Sequence, residues 1–242
     1  GHKVLGLPST DGKITAAQVK EAMEAHLGND SFEHMVQPKM VYISNPTELG
    51  TIYYKKELEK LSAVCRQYGL YLFMDGYGLA APDNDLTMEE IASYCDCFYI
   101  GGTKVGALFG EAVVIRNPEL KQDFRYIMKQ KGGMLAKGRL LGIQFGELFR
   151  DGLYGEVSTH AIAMAEKLRA GFEKKGYPYL VQSRTNQIFV ILPDADLGKL
   201  SENFAYCYQE RVDESHSAVR FCTSWATKEE DVDALIAAVE AL

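Results

Sequence analysis

Three side chains in this sequence interrupt apolar segments at points where an α/β protein can bind a ligand. Asp75 follows the apolar run 71–74 and precedes a glycine, which lets a ligand approach the backbone closely. Lys104 follows the segment 98–103 and precedes the small residues of 105–107, and Arg220 lies within the strand-like segment 218–222. Because ligands of open α/β sheets sit outside the carboxyl ends of the strands, we expect the three to gather at one sheet edge.

Each of the three residues also has a purely structural interpretation. Asp75 can cap a turn, Lys104 can be a solvated loop lysine, and Arg220 can sit at a sheet edge or in an internal ion pair. Taken together they favour chemistry: an amine forms a Schiff base with an aldehyde cofactor, a carboxylate keeps a pyridine nitrogen protonated, and a guanidinium grips an amino acid's carboxylate. Pyridoxal phosphate fits all three, whereas the glycines near Lys104 do not form a P-loop.

The first half of the sequence alternates strand-like and helix-like segments. A capping box at Thr15 and Gln18 predicts a helix that ends near Gly28. Further helices are predicted over 55–68 and 87–94, and short buried strands over 40–43, 71–74, 97–100 and 112–115. This alternation is typical of an α/β fold with largely parallel pairing.

The second half changes character near Asp151 and Gly152. A long helix is predicted over 157–174, strands over 186–192 and 218–225, and a last helix after a capping box at Thr227 and Glu230. We therefore predict two domains, a large one over residues 1–152 and a small α/β domain over residues 153–242.

Composition excludes several classes of protein. The 242 residues carry 26 Lys and Arg against 33 Asp and Glu, a net charge of -7, so no overall basic field exists to attract nucleic acid or anionic lipid. Apolar runs end well before the roughly 20 residues that a membrane helix needs. The five scattered cysteines are expected to be buried thiols of a cytoplasmic protein. Only Cys95 and Cys97 are close-spaced, and without further ligands they do not predict a metal site.

Four motifs together give the sequence a family resemblance. They are NPTELGTIY at 45–53, FMDG at 73–76, FYIGGTKVGALFGEA at 98–112 and VRFCTSWAT at 219–227. The chain resembles the low-specificity L-threonine aldolases, which belong to the β-eliminating lyase group of fold-type-I pyridoxal-phosphate enzymes, and the resemblance runs over nearly all 242 residues.

The resemblance implies a cofactor-binding large domain of fold type I, a small C-terminal domain, and active sites shared between subunits of a homodimer or homotetramer. By motif position, Lys104 is the Schiff-base lysine, Asp75 the partner of the pyridine nitrogen, and Arg220 the clamp on the substrate carboxylate. Thr103, beside the lysine, is expected to contact the cofactor. The loop 131–137 resembles a segment that brings basic residues toward the neighbouring subunit's phosphate.

The implied reaction cleaves L-threonine or L-allo-threonine to glycine and an aldehyde. Its general base is not identified, because none of the five histidines falls in an active-site motif, and a bound water is an alternative. Thr47 stands where family members often carry a histidine that contacts the β-hydroxyl. Two alternatives remain: another pyridoxal-phosphate lyase or an amino-acid racemase of the same fold, and a non-catalytic scaffold or assembly subunit.

Two departures from the family concern the cofactor site. The family's N-terminal segment, with its phosphate loop and stacking ring, precedes the position of Gly1, and the family's Asp-Gly-Ala-Arg is replaced here by Asp75-Gly76-Tyr77-Gly78. We expect a longer molecule whose crystal form lacks pyridoxal phosphate, with both segments disordered. The Gly76–Tyr77 Cα separation would then exceed the 3.8 Å of a trans peptide by far.

Overall fold

The computed structural model describes residues 2–76 and 84–242, which are organised around two β-sheets. The strands of the first sheet, in spatial order, are β1 (Met40–Ser44), β2 (Tyr71–Asp75), β3 (Cys97–Gly101) and β4 (Glu111–Ile115). Strands β1 and β3 are both parallel to β2, which lies between them, while β4 runs antiparallel to β3. The carboxyl ends of β1, β2 and β3 therefore meet at one edge.

Three helices cover one face of the first sheet, namely α1 (Ala16–Leu27), α2 (Lys55–Tyr68) and α3 (Met88–Tyr94). Their apolar side chains pack with the alternate strand residues that include Leu72, Met74 and Phe98. The predicted capping box forms at the start of α1, where the Thr15 hydroxyl accepts from the Gln18 amide and the Gln18 side chain accepts from the Thr15 amide. The opposite face of the sheet keeps half-buried and exposed side chains.

The second half of the chain is built around an antiparallel sheet of three strands, β5 (Gln187–Pro193), β6 (Cys207–Arg211) and β7 (His216–Cys222). Strand β7 lies in the middle of this sheet, between β5 and β6. The helices are α4 (Phe124–Gln130), α5 (Arg139–Leu148), α6 (Leu153–Lys175), α7 (Asp194–Leu200) and α8 (Glu229–Ala241).

Helix α6 contributes to two separate apolar cores. Tyr154, Ala161 and Ile162 pack in the core of the first sheet. Leu168 and Phe172, further along the same helix, pack in the core of the second sheet. The helix therefore joins the two halves, and the domain boundary near residue 152 stays a prediction.

The α/β fold and its parallel pairing are confirmed, with strand ends that differ from the sequence prediction by a few residues. The capping box predicted at Thr227 is wrong. Helix α8 begins after Lys228 without a side-chain cap, because the Thr227 hydroxyl accepts instead from the amide of Ser224, 2.8 Å away. The last strand was expected to reach Trp225 but ends at Cys222.

The sequence predicted that all five cysteines are buried, but only three of them are. Cys65, Cys95 and Cys97 are buried, whereas Cys207 and Cys222, which lie on the second sheet, are exposed. Among residues 2–76 and 84–242 no three His, Cys, Asp or Glu side chains are grouped as metal ligands. None of the helices in these ranges is both long and apolar enough to cross a membrane. The expected break between Gly76 and Tyr77 lies outside the described residues.

A close approach at Gly50 joins the loop after β1 to the second half of the chain. The Ser183 hydroxyl donates to the Gly50 carbonyl oxygen at 3.1 Å, and a Cβ on Gly50 would lie 2.2 Å from the same hydroxyl. Gly50 also has a φ of 74°, in the left-handed region. Only glycine satisfies both constraints.

We predict that Gly50→Ala lowers the free energy of unfolding more than Gly69→Ala does. Both glycines have positive φ, which costs about 1–2 kcal/mol for alanine, but a Cβ on Gly69 meets nothing within 4 Å. The difference in urea-denaturation free energy between the two variants measures the packing against Ser183. Equal losses would show that this contact does not hold the two halves together.

Candidate active site

Lys104 lies on a short turn directly after β3. The turn is a 3-10 helix over Thr103–Val105, and both Thr103 and Lys104 are exposed. In the described part of the chain no side chain forms a hydrogen bond or ion pair with the Lys104 amine. Gly102, just before the turn, has no room for a side chain, since a Cβ there would lie 2.8 Å from both Ala107 and Phe145. The amine is thus presented freely on a tightly packed backbone.

Asp75 ends β2, the strand beside β3, and its carboxylate is half-buried. The hydroxyl of Tyr42, on β1, donates a short hydrogen bond to Asp75 Oδ2. The hydroxyl of Tyr99 is also turned toward Asp75: burial, and then interaction with this carboxylate, raise the pKa of Tyr99. The same two causes raise the pKa of Tyr42. Asp75 is therefore bound by the Tyr42 hydroxyl on one neighbouring strand and lies near the Tyr99 hydroxyl of the other.

Glu111 is a second acidic residue of this neighbourhood. It begins β4 opposite Gly101, the last residue of β3. Partial burial and then the negative charge of Asp75 raise the pKa of Glu111, whereas the positive charge of Lys104 opposes the shift. One lysine and two carboxylates therefore influence each other electrostatically at this edge of the first sheet.

Arg220 is half-buried on β7, in the second sheet. Its Nη1 donates to Gln187 Oε1 on β5 at 3.1 Å, while its buried Nε has no hydrogen-bond partner within residues 2–76 and 84–242. A buried guanidinium nitrogen without a partner is costly, so an anionic ligand here would satisfy it. Arg220 also lines a cavity of about 540 Å³ together with Phe204, Cys207 and Phe221.

The end of β7 lies close to the Lys104 turn. Cys222 is exposed as a residue, but partial desolvation of its thiol raises the thiol pKa, and the positive charges of both Arg220 and Lys104 act against that shift. Trp225 packs on Gly106, since three atoms of its indole lie 3.5–3.9 Å from the position of a Cβ there. Asp75 and Lys104 thus follow the carboxyl ends of neighbouring strands of the first sheet, whereas Arg220 lies within a strand of the second sheet and not at that edge. The grouping of the three residues in one site stays a prediction.

Two further predicted segments have different surroundings. Thr47 is buried, and its hydroxyl shares a 2.6 Å hydrogen bond with that of Thr51, so this side chain is engaged within its own loop. The loop 131–137 joins α4 and α5 and exposes both Lys131 and Lys137. The described residues provide no ion-pair partner for these two lysines.

Sequence reasoning missed Tyr42, Tyr99 and Glu111. Tyr42 stands two residues before Ser44 at the end of β1, and Tyr99 stands two residues before Gly101 at the end of β3. A period of two places such residues on the same face as the strand end. That alternation was the available signal, but it was hidden in runs that are almost entirely apolar.

Another cavity, of about 510 Å³, lies at the opposite end of the first sheet. Two of its lining arginines already have partners, since Arg66 Nη2 donates to the Ser93 carbonyl oxygen and Arg116 Nε to that of Ala92. Among the residues that line this cavity, no side-chain amine or carboxylate is free for the predicted chemistry. The edge with Lys104 is therefore the better candidate for the active site.

Comparison with known proteins gives consistent relatives. The family model for β-eliminating lyases matches residues 1–195. The low-specificity L-threonine aldolase of a Pseudomonas species is 30% identical over 247 residues, covering 100% of this chain and 69% of the relative. The structure of Leishmania major threonine aldolase is 44% identical with a TM-score of 0.94, over 100% of this chain and 70% of that chain.

A more distant structure shares the fold. Thermus thermophilus aspartate aminotransferase is 15% identical with a TM-score of 0.64, over 95% of this chain and 64% of that one. The chain thus spans about two thirds of the length of the proteins to which it is similar.

We predict that Glu111→Gln raises the melting temperature at about pH 8 and has less effect at about pH 4. A raised carboxyl pKa means that the fold favours the protonated form, so stability is lost as pH rises through that pKa. Differential scanning calorimetry at the two pH values measures the effect.

Glu90→Gln is the control of opposite sign. Hydrogen bonding from Lys55 lowers the pKa of Glu90, so its charge stabilises the fold at about pH 8 and the variant should melt lower there. If Glu111→Gln also melts lower at that pH, the electrostatic description of this edge is wrong.

Proposed function

This chain belongs to the β-eliminating lyase family and to its low-specificity L-threonine aldolases, and we propose that it forms the active site of a pyridoxal-phosphate-dependent aldolase. Its membership confirms the resemblance read from the sequence motifs. The proposed reaction converts L-threonine or L-allo-threonine to glycine and acetaldehyde. The aldolases among its relatives favour this reaction over another lyase, a racemase or a scaffold subunit.

The observation that supports the proposal most is the position of Asp75 and Lys104 at the carboxyl ends of the neighbouring strands β2 and β3, together with an Arg220 Nε that has no hydrogen-bond partner among the described residues. These residues fit pyridoxal phosphate. Among the described residues the amine has no competing hydrogen-bond partner, the close packing around Gly102 fixes the turn that carries it, and the buried Arg220 Nε has no acceptor. When bound, the cofactor supplies an electron sink for the bond that breaks at the amino acid's Cα.

Lys104 would hold the cofactor through its aldehyde carbon and release it to the substrate's amine. Asp75 would keep the pyridine nitrogen protonated, which is what makes the ring a good electron sink. Thr103, exposed beside the lysine, would contact the cofactor. All three lie on or next to strand ends, so the sheet fixes their spacing.

Arg220 would bind the substrate carboxylate through two parallel hydrogen bonds. Its contact with Gln187 orients the guanidinium and leaves the buried Nε free for this anion. This orientation would decide which bond at the amino acid's Cα is placed to break when the cofactor is bound. The clamp would thus select amino acids, and contacts to the side chain would select the Cα–Cβ bond.

The β-hydroxyl proton needs an acceptor. His160 Nε2 is engaged with the Thr227 carbonyl oxygen, and His216 pairs with Asp213. Glu111 is a carboxylate at this edge whose pKa is raised by partial burial and by the charge of Asp75, which makes it a better proton acceptor than an ordinary carboxylate. We therefore propose that Glu111, directly or through a water molecule, receives this proton.

We also propose a homodimer or homotetramer with shared active sites. Large apolar side chains are exposed near the Lys104 turn and around the loop 131–137, and they are Leu108, Tyr126, Ile127, Leu140 and Ile143. Such a concentration is typical of a subunit interface. Lys131 or Lys137 would then reach the phosphate of the neighbouring subunit. A cytoplasmic location is proposed from the five free thiols.

We predict that the protein forms glycine and acetaldehyde from threonine and that Lys104→Ala loses both the visible absorbance of the bound cofactor and most of the turnover. Alanine cannot make the covalent link, so the rate should fall by roughly a thousandfold or more. Lys121→Ala, at an exposed lysine outside the site, is the control. Full activity of Lys104→Ala would show that another lysine holds the cofactor. Pyruvate from serine without acetaldehyde from threonine would contradict the aldolase assignment.

We predict that Arg220→Lys raises the Michaelis constant for threonine by roughly tenfold while the cofactor's absorbance is retained. An ammonium keeps the charge but cannot reproduce the two parallel bonds. Arg116→Lys, at an arginine that contacts the Ala92 carbonyl oxygen far from the site, should leave the Michaelis constant unchanged. Equal constants for Arg220→Lys and wild type would argue against the clamp.

A further inference from the structure

Tyr42 and Tyr99 converge on Asp75 from the two strands that flank β2. Tyr42 donates to Asp75 Oδ2, although 51% of the residue is exposed. The pairing of Phe73 with Cys97 and of Met74 with Phe98, continued by one residue, places Tyr99 beside Asp75. The carboxylate therefore has a tyrosine on each of its two neighbouring strands.

The aromatic rings are fixed by a third ring between them. Phe73 stacks on Tyr42 with ring centroids 5.4 Å apart and planes 14° from parallel. Its contact with Tyr99 has a centroid distance of 5.8 Å. Phe73 lies on the same strand and face as Asp75, so its contacts fix the Tyr42 and Tyr99 rings relative to the Asp75 carboxylate.

Both hydroxyls remain donors over the working range of pH. Burial, and next the interaction with Asp75, raise the pKa of Tyr42 and of Tyr99, so neither loses its proton near neutrality. A carboxylate offers about four acceptor positions on two oxygens. Tyr42 occupies one of these positions, on Oδ2, so positions remain for Tyr99 and for one further donor.

We propose that Tyr42 and Tyr99 are positioning residues that orient the Asp75 carboxylate, so that one of its remaining acceptor positions receives the N–H of a protonated pyridine ring. The proposal rests on the function proposed above. It assigns to this face of the first sheet a role in cofactor affinity and in the protonation of the ring. Neither tyrosine needs to touch the cofactor for this effect.

Tyr42→Phe and Tyr99→Phe test the proposal because each keeps the ring that packs on Phe73 and removes only the hydroxyl. Tyr71→Phe is the matched control. Tyr71 begins β2, on the same face as Asp75, and its hydroxyl donates to Glu119 Oε2 at 3.0 Å instead of to Asp75. The measurements are the dissociation constant of pyridoxal phosphate, titrated into cofactor-free protein, and the pH dependence of the bound cofactor's absorbance. Melting curves of the cofactor-free variants check the fold.

We expect Tyr42→Phe, and more so the double variant with Tyr99→Phe, to weaken pyridoxal-phosphate binding by roughly tenfold and to move the absorbance transition to lower pH. Tyr71→Phe should match wild type in both readouts. In an Asp75→Asn background, Tyr42→Phe should add nothing further, because the group that it positions is no longer charged.

Wild-type affinity and an unmoved absorbance transition in the double variant would overturn the positioning role while leaving the proposed function intact. A loss that persists undiminished in the Asp75→Asn background would also overturn it, since the tyrosines would then act independently of Asp75. Failure of the wild-type protein to bind pyridoxal phosphate would instead refute the proposed function, and the positioning role with it.

Discussion

The parallel pairing of β1, β2 and β3 is the constraint on which the candidate site depends. It brings the strand ends Ser44, Asp75 and Gly101 to one edge, and the turn after Gly101 then presents the Lys104 amine. Backbone hydrogen bonds fix this arrangement, and the helices on the covered face keep it rigid through close packing. A carboxylate and an amine from distant parts of the sequence thereby act at one place.

The second constraint is the close contact between the first sheet and the second. Ser183 packs on Gly50, and Trp225 packs on Gly106, so the segment before β5 and the segment after β7 both contact loops of the first half. Arg220 lies on β7, which pairs with β5. The position of the guanidinium therefore depends on Gly50, which lies outside the chemistry and where a side chain would collide with Ser183.

Sequence patterns predicted the elements with clear periodicity and missed those whose environment is set by distant contacts. The strand over 71–75 and the helix over 55–68 have strong patterns and were found within a residue or two. Strand β6 was missed because its side chains are mostly exposed on both faces. Asp75, Lys104 and Arg220 were predicted by residue type at strand positions, and their roles stay predictions, whereas Tyr42 and Tyr99 look like ordinary strand aromatics. Only the register of the sheet reveals that both reach Asp75.

The central claim is that the Lys104 amine is the attachment point of the cofactor at this sheet edge. Borohydride reduction of the pyridoxal-phosphate-loaded protein fixes the cofactor to the amine that holds it, and mass spectrometry of the digested protein then identifies that residue. If Lys104 is the attachment point, we expect a single modified peptide, the one that contains Lys104. Modification at another lysine, such as Lys131 or Lys137, with Lys104 unmodified would contradict it.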